Sequence, residues 1–278
     1  MRELLRRHTP ALSWLLLALC LVVFINAGRW QHDKAMAKHE RIAAFEDARQ
    51  QPATAFDGIA IDAITGDAGN SADAGFKRIH VNGRILPQRY LLDNQVRGGR
   101  PGIEVFAPMH TDTGAHLLLA LGWLAYPDAR RQLPALPNFP ALAENVEDDA
   151  ASGIAGETGD GASPDRSEAA PPMQFSGLLA PPPAYGLRLG RNWPEQPGPD
   201  KLMPYFDIAE VATDSGLPLI ERVLWLDAEP ASPWLRDWQP TQGMPPERHL
   251  AYAWQWWSMA VASVIVFIVL HYRRRNRK

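Results

Sequence analysis

The residues of this chain best suited to chemistry are histidines. One of them, His249, stands in "ERHLAYAWQWW" at the threshold of an apolar run. A neutral imidazole can ligate a metal or haem iron, carry a proton, or anchor a helix at a membrane surface. On a helix turning about 100° per residue, Tyr252, Ala253, Trp256 and Ala260 fall within about 60° of His249. Ser263 continues that side, whereas Trp254 points away. The stripe presents an imidazole, two rings and then small residues, which let a helix or a flat ligand approach closely. A polar group at the edge of a span costs free energy unless it meets water or a partner. The residues alone leave two readings open. His249 is an interfacial residue beside headgroup-anchoring aromatics, or it is a ligand for something held between helices.

The other histidines form weaker patterns. His32 and His39 are seven apart, hence on one face of a helix, and could hold a metal or haem; solvation is the simpler reading. His80, His110 and His116 lie in or beside strand-like runs without paired ligand spacing, and His8 and His271 belong to charged flanks. There is no G-x-S-x-G, P-loop, H-E-x-x-H or strand-following G-x-G-x-x-G, so the sequence predicts no enzyme. Glu147-Asp148-Asp149 could attract a divalent cation, but their setting reads as a solvated acidic loop. The single cysteine, Cys20, lies in an apolar segment, which excludes a C-x-x-C thiol site and covalent c-type haem attachment.

Two segments must carry these groups to a membrane. Leu250–Tyr272 contains no Asp, Glu, Lys or Arg, and at about 1.5 Å per residue it covers roughly 34 Å, enough to cross a bilayer core. Ala11–Ala27 is also uncharged and covers about 26 Å, with Thr9 as its expected N-cap and Pro10 as its first helical residue. Signal-peptide cleavage is the rival reading there, disfavoured by Ile25 in the small-residue position of Ile25-Asn26-Ala27. Arg2, Arg6 and Arg7 precede the first span, and Arg273, Arg274, Arg275, Arg277 and Lys278 follow the second. The positive-inside rule then predicts both termini in the cytoplasm and the region between the spans outside. With those eight basic residues and Glu3 set aside, 20 Lys and Arg face 30 Asp and Glu, a net charge of about −10. Such a surface is unsuited to nucleic acid.

The expected organisation is a cytoplasmic tail (1–9), a first transmembrane helix (10–28), a juxtamembrane helix (29–50), an extracytoplasmic domain (51–249), a second transmembrane helix (250–272) and a basic tail (273–278). Within the outer domain, "FKRIHVNGRIL", "YLLDNQ", "IEVFAPMH", "HLLLALGWLAY", "MQFSGLLA" and "RVLWLDAE" read as strands punctuated by Gly and Pro turns. "YFDIAEVATDSG" predicts one short helix, with Asp207 as N-cap and Gly216 at its end. Asp57–Gly75 reads as loop. Glu144–Pro172, with eight acids and one arginine, reads as a disordered insertion. The fold class expected is an α+β membrane protein, two transmembrane helices flanking a β-rich, small antiparallel barrel-like domain.

"RHLAYAWQWWSMA", Arg248–Ala260, resembles the closing signature of the Surfeit locus protein 1 family, approximately N-H-x-x-Y-A-x-x-W-F-x-x-A. "GRWQHDKA", Gly28–Ala35, resembles its opening signature G-x-W-Q-x-x-R-x-x-K. Asn82–Leu124 is similar to its middle block of a Gly-turn, a strand, G-x-P-G, a strand and G-W. Three positions depart from the pattern: Ala120-Leu121 replace Asn-Arg before Gly-Trp, Asp33-Lys34 stand near the expected arginine, and Glu247-Arg248 precede the terminal histidine.

The resemblance implies a bacterial inner-membrane assembly factor for haem–copper cytochrome c oxidase, without enzymatic activity of its own. It implies that haem a is handled transiently and delivered to the catalytic subunit or its assembly intermediates. Carried over by position, it makes His249 the haem-iron ligand. Tyr252 and Trp256, on the same stripe, would then pack against the macrocycle. Membrane lipid is the other expected partner. Two alternatives stand beside this: a scaffold that binds oxidase subunits or other assembly factors without haem, and an outer-face sensor, which the short tails disfavour.

Overall fold

The computed structural model describes residues 2–57, 75–127, 133–137, 173–183, 190, 192–193, 198–230, 232–241 and 243–276. Most of the loop at 57–75, the whole acidic insertion at 144–172 and the Glu147–Asp149 cluster lie outside the described residues. The chain divides into two compact units: one of residues 1–46 with 239–278, the other of residues 47–238.

The first unit is built from two helices. α1 runs Arg2–Gln50 without interruption, so the expected span and juxtamembrane segment are one helix. It begins at Arg2 rather than Pro10, because the intervening Arg, Glu and Leu residues favour helix; Thr9 is therefore not a cap. Ala11–Gln50 and the terminal helix Pro246–Arg275 are both long and apolar enough to cross a membrane. The terminal helix starts with Pro246 in its first turn and ends in Arg273, Arg274 and Arg275, cations that suit the negative end of the helix dipole.

The second unit is an eight-stranded sheet. Its strands are β1 (Thr54–Ala55), β2 (Lys77–Ile85), β3 (Arg89–Arg97), β4 (Arg100–Thr111), β5 (His116–Ala125), β6 (Met173–Ala180), β7 (Asp200–Met203) and β8 (Leu219–Leu226). Their order is β1-β2-β6-β8-β5-β4-β3-β7, and β2 also pairs with β4. The strands β2, β6, β8, β5 and β4 are thereby linked in a circuit of pairings, which leaves fewer open edges. The sheet is mixed rather than antiparallel as expected, since β1–β2, β3–β7 and β5–β8 are parallel. The hairpin signals report only chain neighbours. β5 and β8 are separated by β6, β7 and the short helix, so no turn motif announces their pairing.

Period-two burial explains the core. Ile79, Val81, Ile85, Ile103, Val105, Ala107, Met109, Leu117, Leu119 and Leu121 alternate along their strands and meet in one cluster. β4 and β5 are also covered on their other face, where Phe106 packs against Phe206 with ring centroids 4.9 Å apart. Phe206 precedes the second helix, α2 (Ile208–Ser215), which Asp207 caps through the Ala209 amide; Gly216 ends it in a left-handed conformation. Between β3 and β4, Gly98 and Gly99 both have positive φ, the requirement of a two-residue hairpin turn.

Among the described residues Glu104, Asp207 and Arg222 are buried in this unit. Glu104 of β4 is buried, with its carboxylate 3.4 Å from the Arg97 guanidinium. Burial pushes its pKa from the ordinary 4.5 to about 7, partly opposed by Arg97. The folded state therefore holds the proton more tightly than the unfolded chain. The resulting stabilisation is full below about pH 4.5 and is lost as pH rises through about 7, on the order of 3 kcal/mol. Glu104→Gln should flatten this component: its urea midpoint in detergent should fall less between pH 5 and pH 8 than the parent's. Parallel pH dependence in the two proteins would refute the assignment.

Candidate functional site

The first turns of the terminal helix, α3 (Pro246–Arg275), lie against the middle of α1 within the helical unit. α1 contributes Gly28, Gln31, His32, Ala35 and Lys38, the i, i+3, i+4 spacing of one helical face. Two of these are small. Ala35 is fully buried, and a Cβ on Gly28 would lie 2.2 Å from the indole nitrogen of Trp257. α3 answers with Ala253 and Ala260, both buried. Small residues on both helices let the backbones approach.

At the head of this seam His249 is 9% exposed, and its Nδ1 lies 2.7 Å from Oε1 of Gln31. With the Gln31 carbonyl oxygen facing it, which can only accept, the ring would carry its proton on Nδ1. Nε2 then keeps its lone pair, and among the described residues no hydrogen bond reaches it. Lys34 and Lys38 stand on α1 close enough for their charges to bear on the ring. Lys38 also donates to the Met244 carbonyl at 2.5 Å, and Arg41 to that of Pro240 at 2.7 Å, which ties α1 to the chain entering α3.

The remaining expected residues separate. Trp256 is half-buried, its ring 5.9 Å from that of Phe24. Tyr252 is 45% exposed and Trp254 66% exposed, so only Trp254 takes the outward position that its helical angle predicts. Trp257, absent from the predicted stripe, packs on α1 instead, over Gly28 and 6.0 Å from the His32 ring. His32 is half-buried and His39 exposed. Among the described residues no three His, Cys, Asp or Glu side chains cluster as a metal site.

Sequence reasoning missed Gln31 and Trp257. The signal for both was in α1: a polar residue flanked at helical spacing by Gly28 and Ala35 marks a contact face. A model of the SURF1 family matches residues 18–261, a range that includes both Gln31 and His249. None of the curated proteins compared with the chain matches it.

The Gly28–Trp257 approach is testable. Gly28→Val should displace the indole and cost about 1–3 kcal/mol, read as a lower thermal midpoint in detergent. The double variant Gly28→Val/Trp257→Ala should lose less than the sum of the two single losses. Strict additivity would mean that the two residues do not share this contact.

Proposed function

The chain belongs to the SURF1 family, an assembly-factor family associated with cytochrome oxidase, and on that premise we propose that it takes haem a as cargo. It presents that cargo to the oxidase catalytic subunit or to an assembly intermediate containing it. The observation that carries the reading is the state of His249. Gln31 satisfies Nδ1, which leaves Nε2 as a neutral nitrogen donor at the head of an apolar seam. Haem iron accepts such a nitrogen as an axial ligand.

The surrounding residues fit a flat, apolar cargo with acidic edges. Tyr252 and Trp256 flank His249 on its helix and offer ring faces to the macrocycle. Lys34 and Lys38 offer cations to its carboxylates. A single ligand supplied by one helix suits a carrier, which must release what it holds. The cargo arrives and leaves at a bacterial inner membrane, with both termini cytoplasmic and the sheet unit outside.

Purified parent and His249→Ala, both from haem-a-producing cells, should differ by at least about tenfold in bound haem, with the Soret band lost in the variant. Equal haem content and an unchanged band would reject the cargo reading in favour of a scaffold that binds oxidase subunits. Orientation has its own check. A cysteine replacing Ala150 should react with an impermeant thiol reagent from outside; labelling from the cytoplasmic side alone would overturn the layout.

A further inference from the structure

We propose that Gln31 is the positioning residue of this site: its amide oxygen holds His249 in the Nδ1–H tautomer and thereby sets how well Nε2 binds iron. The purpose of this arrangement rests on the haem reading, but its geometry does not. Gln31 and His249 are 218 positions apart and meet at 2.7 Å. Both side chains are at least partly withdrawn from water. An imidazole in water favours the opposite tautomer, with the proton on Nε2, so a fixed acceptor at Nδ1 is what makes Nε2 the donor atom. The partner of a ligating histidine's second nitrogen orients the ring and tunes its basicity in just this way.

The choice of glutamine has a consequence. A carboxylate at this position would also accept from Nδ1, but it would stabilise the imidazolium and make the neutral ligand more basic. An amide presenting its oxygen favours the same tautomer without a charge. The ring then ligates without being driven either to protonate or to hold iron tightly. That balance suits a residue that must hand its cargo on.

The test uses the full chain in detergent with 15N-labelled histidine and no haem. The His249 ring signals are assigned by their loss in His249→Ala. The parent should show Nδ1–H, Gln31→Leu should shift toward Nε2–H, and Gln31→Glu, which retains an acceptor, should keep Nδ1–H. Titration with ferric haem a should then show about 10–100-fold weaker binding by Gln31→Leu, with affinity recovered in Gln31→Glu. Near-UV circular dichroism equal to the parent's establishes that each variant is folded. An Nε2–H ring in the parent, or a tautomer indifferent to Gln31→Leu, overturns the proposal. So does unchanged haem affinity in Gln31→Leu when His249→Ala has lost haem. If His249→Ala itself binds haem like the parent, the cargo reading fails, and the tautomer measurement still decides whether Gln31 holds the ring.

Discussion

The hydrogen bond between Gln31 and His249 is the constraint around which the helical unit is arranged. Both groups are at least partly withdrawn from water, where an unpaired polar atom is costly. Each is the other's remedy. Meeting at 2.7 Å requires the helices to come together closely, and the residues beside the pair are those that permit it: Gly28 under the Trp257 ring, Ala35, Ala253 and Ala260. A larger residue at any of these positions pushes the helices apart and strands two polar groups. Lys38 and Arg41 extend the same seam upward by donating to main-chain carbonyls of Met244 and Pro240.

The sheet unit obeys a different economy. Its interior is filled by alternate residues of β2, β4, β5 and β6, and their period fixes register, since a slip by one residue would turn that row outward. The pairing of Gly83–Ile85 with Met109–Thr111 brings β2 onto β4 and completes the circuit through β6, β8 and β5. Glu104 departs from the apolar rule, enclosed beside Arg97. Burial disfavours its charged form more than the nearby Arg97 restores it, which is why its stability contribution follows pH.

Much of this architecture was legible in the residues. Charge-free runs announced both long helices, short apolar runs bounded by Gly and Pro turns announced six of the eight strands among the described residues, and Asp207 and Gly216 bounded α2 as their chemistry requires. β1 and β7 were not visible, being two and four residues long and held only by parallel partners. The parallel pairs were hidden for the same reason, since nothing local encodes a partner distant in the chain. At the site, helical angle correctly grouped His249 with Ala253 and Ala260 and turned Trp254 outward. It placed Tyr252, about 60° to one side of His249, in the stripe and left out Trp257, about 80° to the other. A single helix has no preferred side. The crossing point of α1 selects one, and the open space at Gly28 brought Trp257 inward and left Tyr252 exposed.

That selection bears on how a ligand could be both held and released. The face of α3 that packs on α1 is spent on helix contact, whereas Tyr252 remains on the open side of His249, with Trp256 between them half-buried. On the proposed function, the residues beside His249 would be Tyr252, which is exposed, and Trp256, whose ring lies 5.9 Å from that of Phe24. Fixed contacts give affinity because their ordering cost is already met by the fold, and mobile ones give exit routes because they can leave without disturbing the core. The neutral amide behind the imidazole points the same way. It orients the ligand while adding no charge that would have to be re-solvated when the cargo departs. On the proposed function, the site is built for transfer: the helix seam is rigid and the ligand's outer face is not.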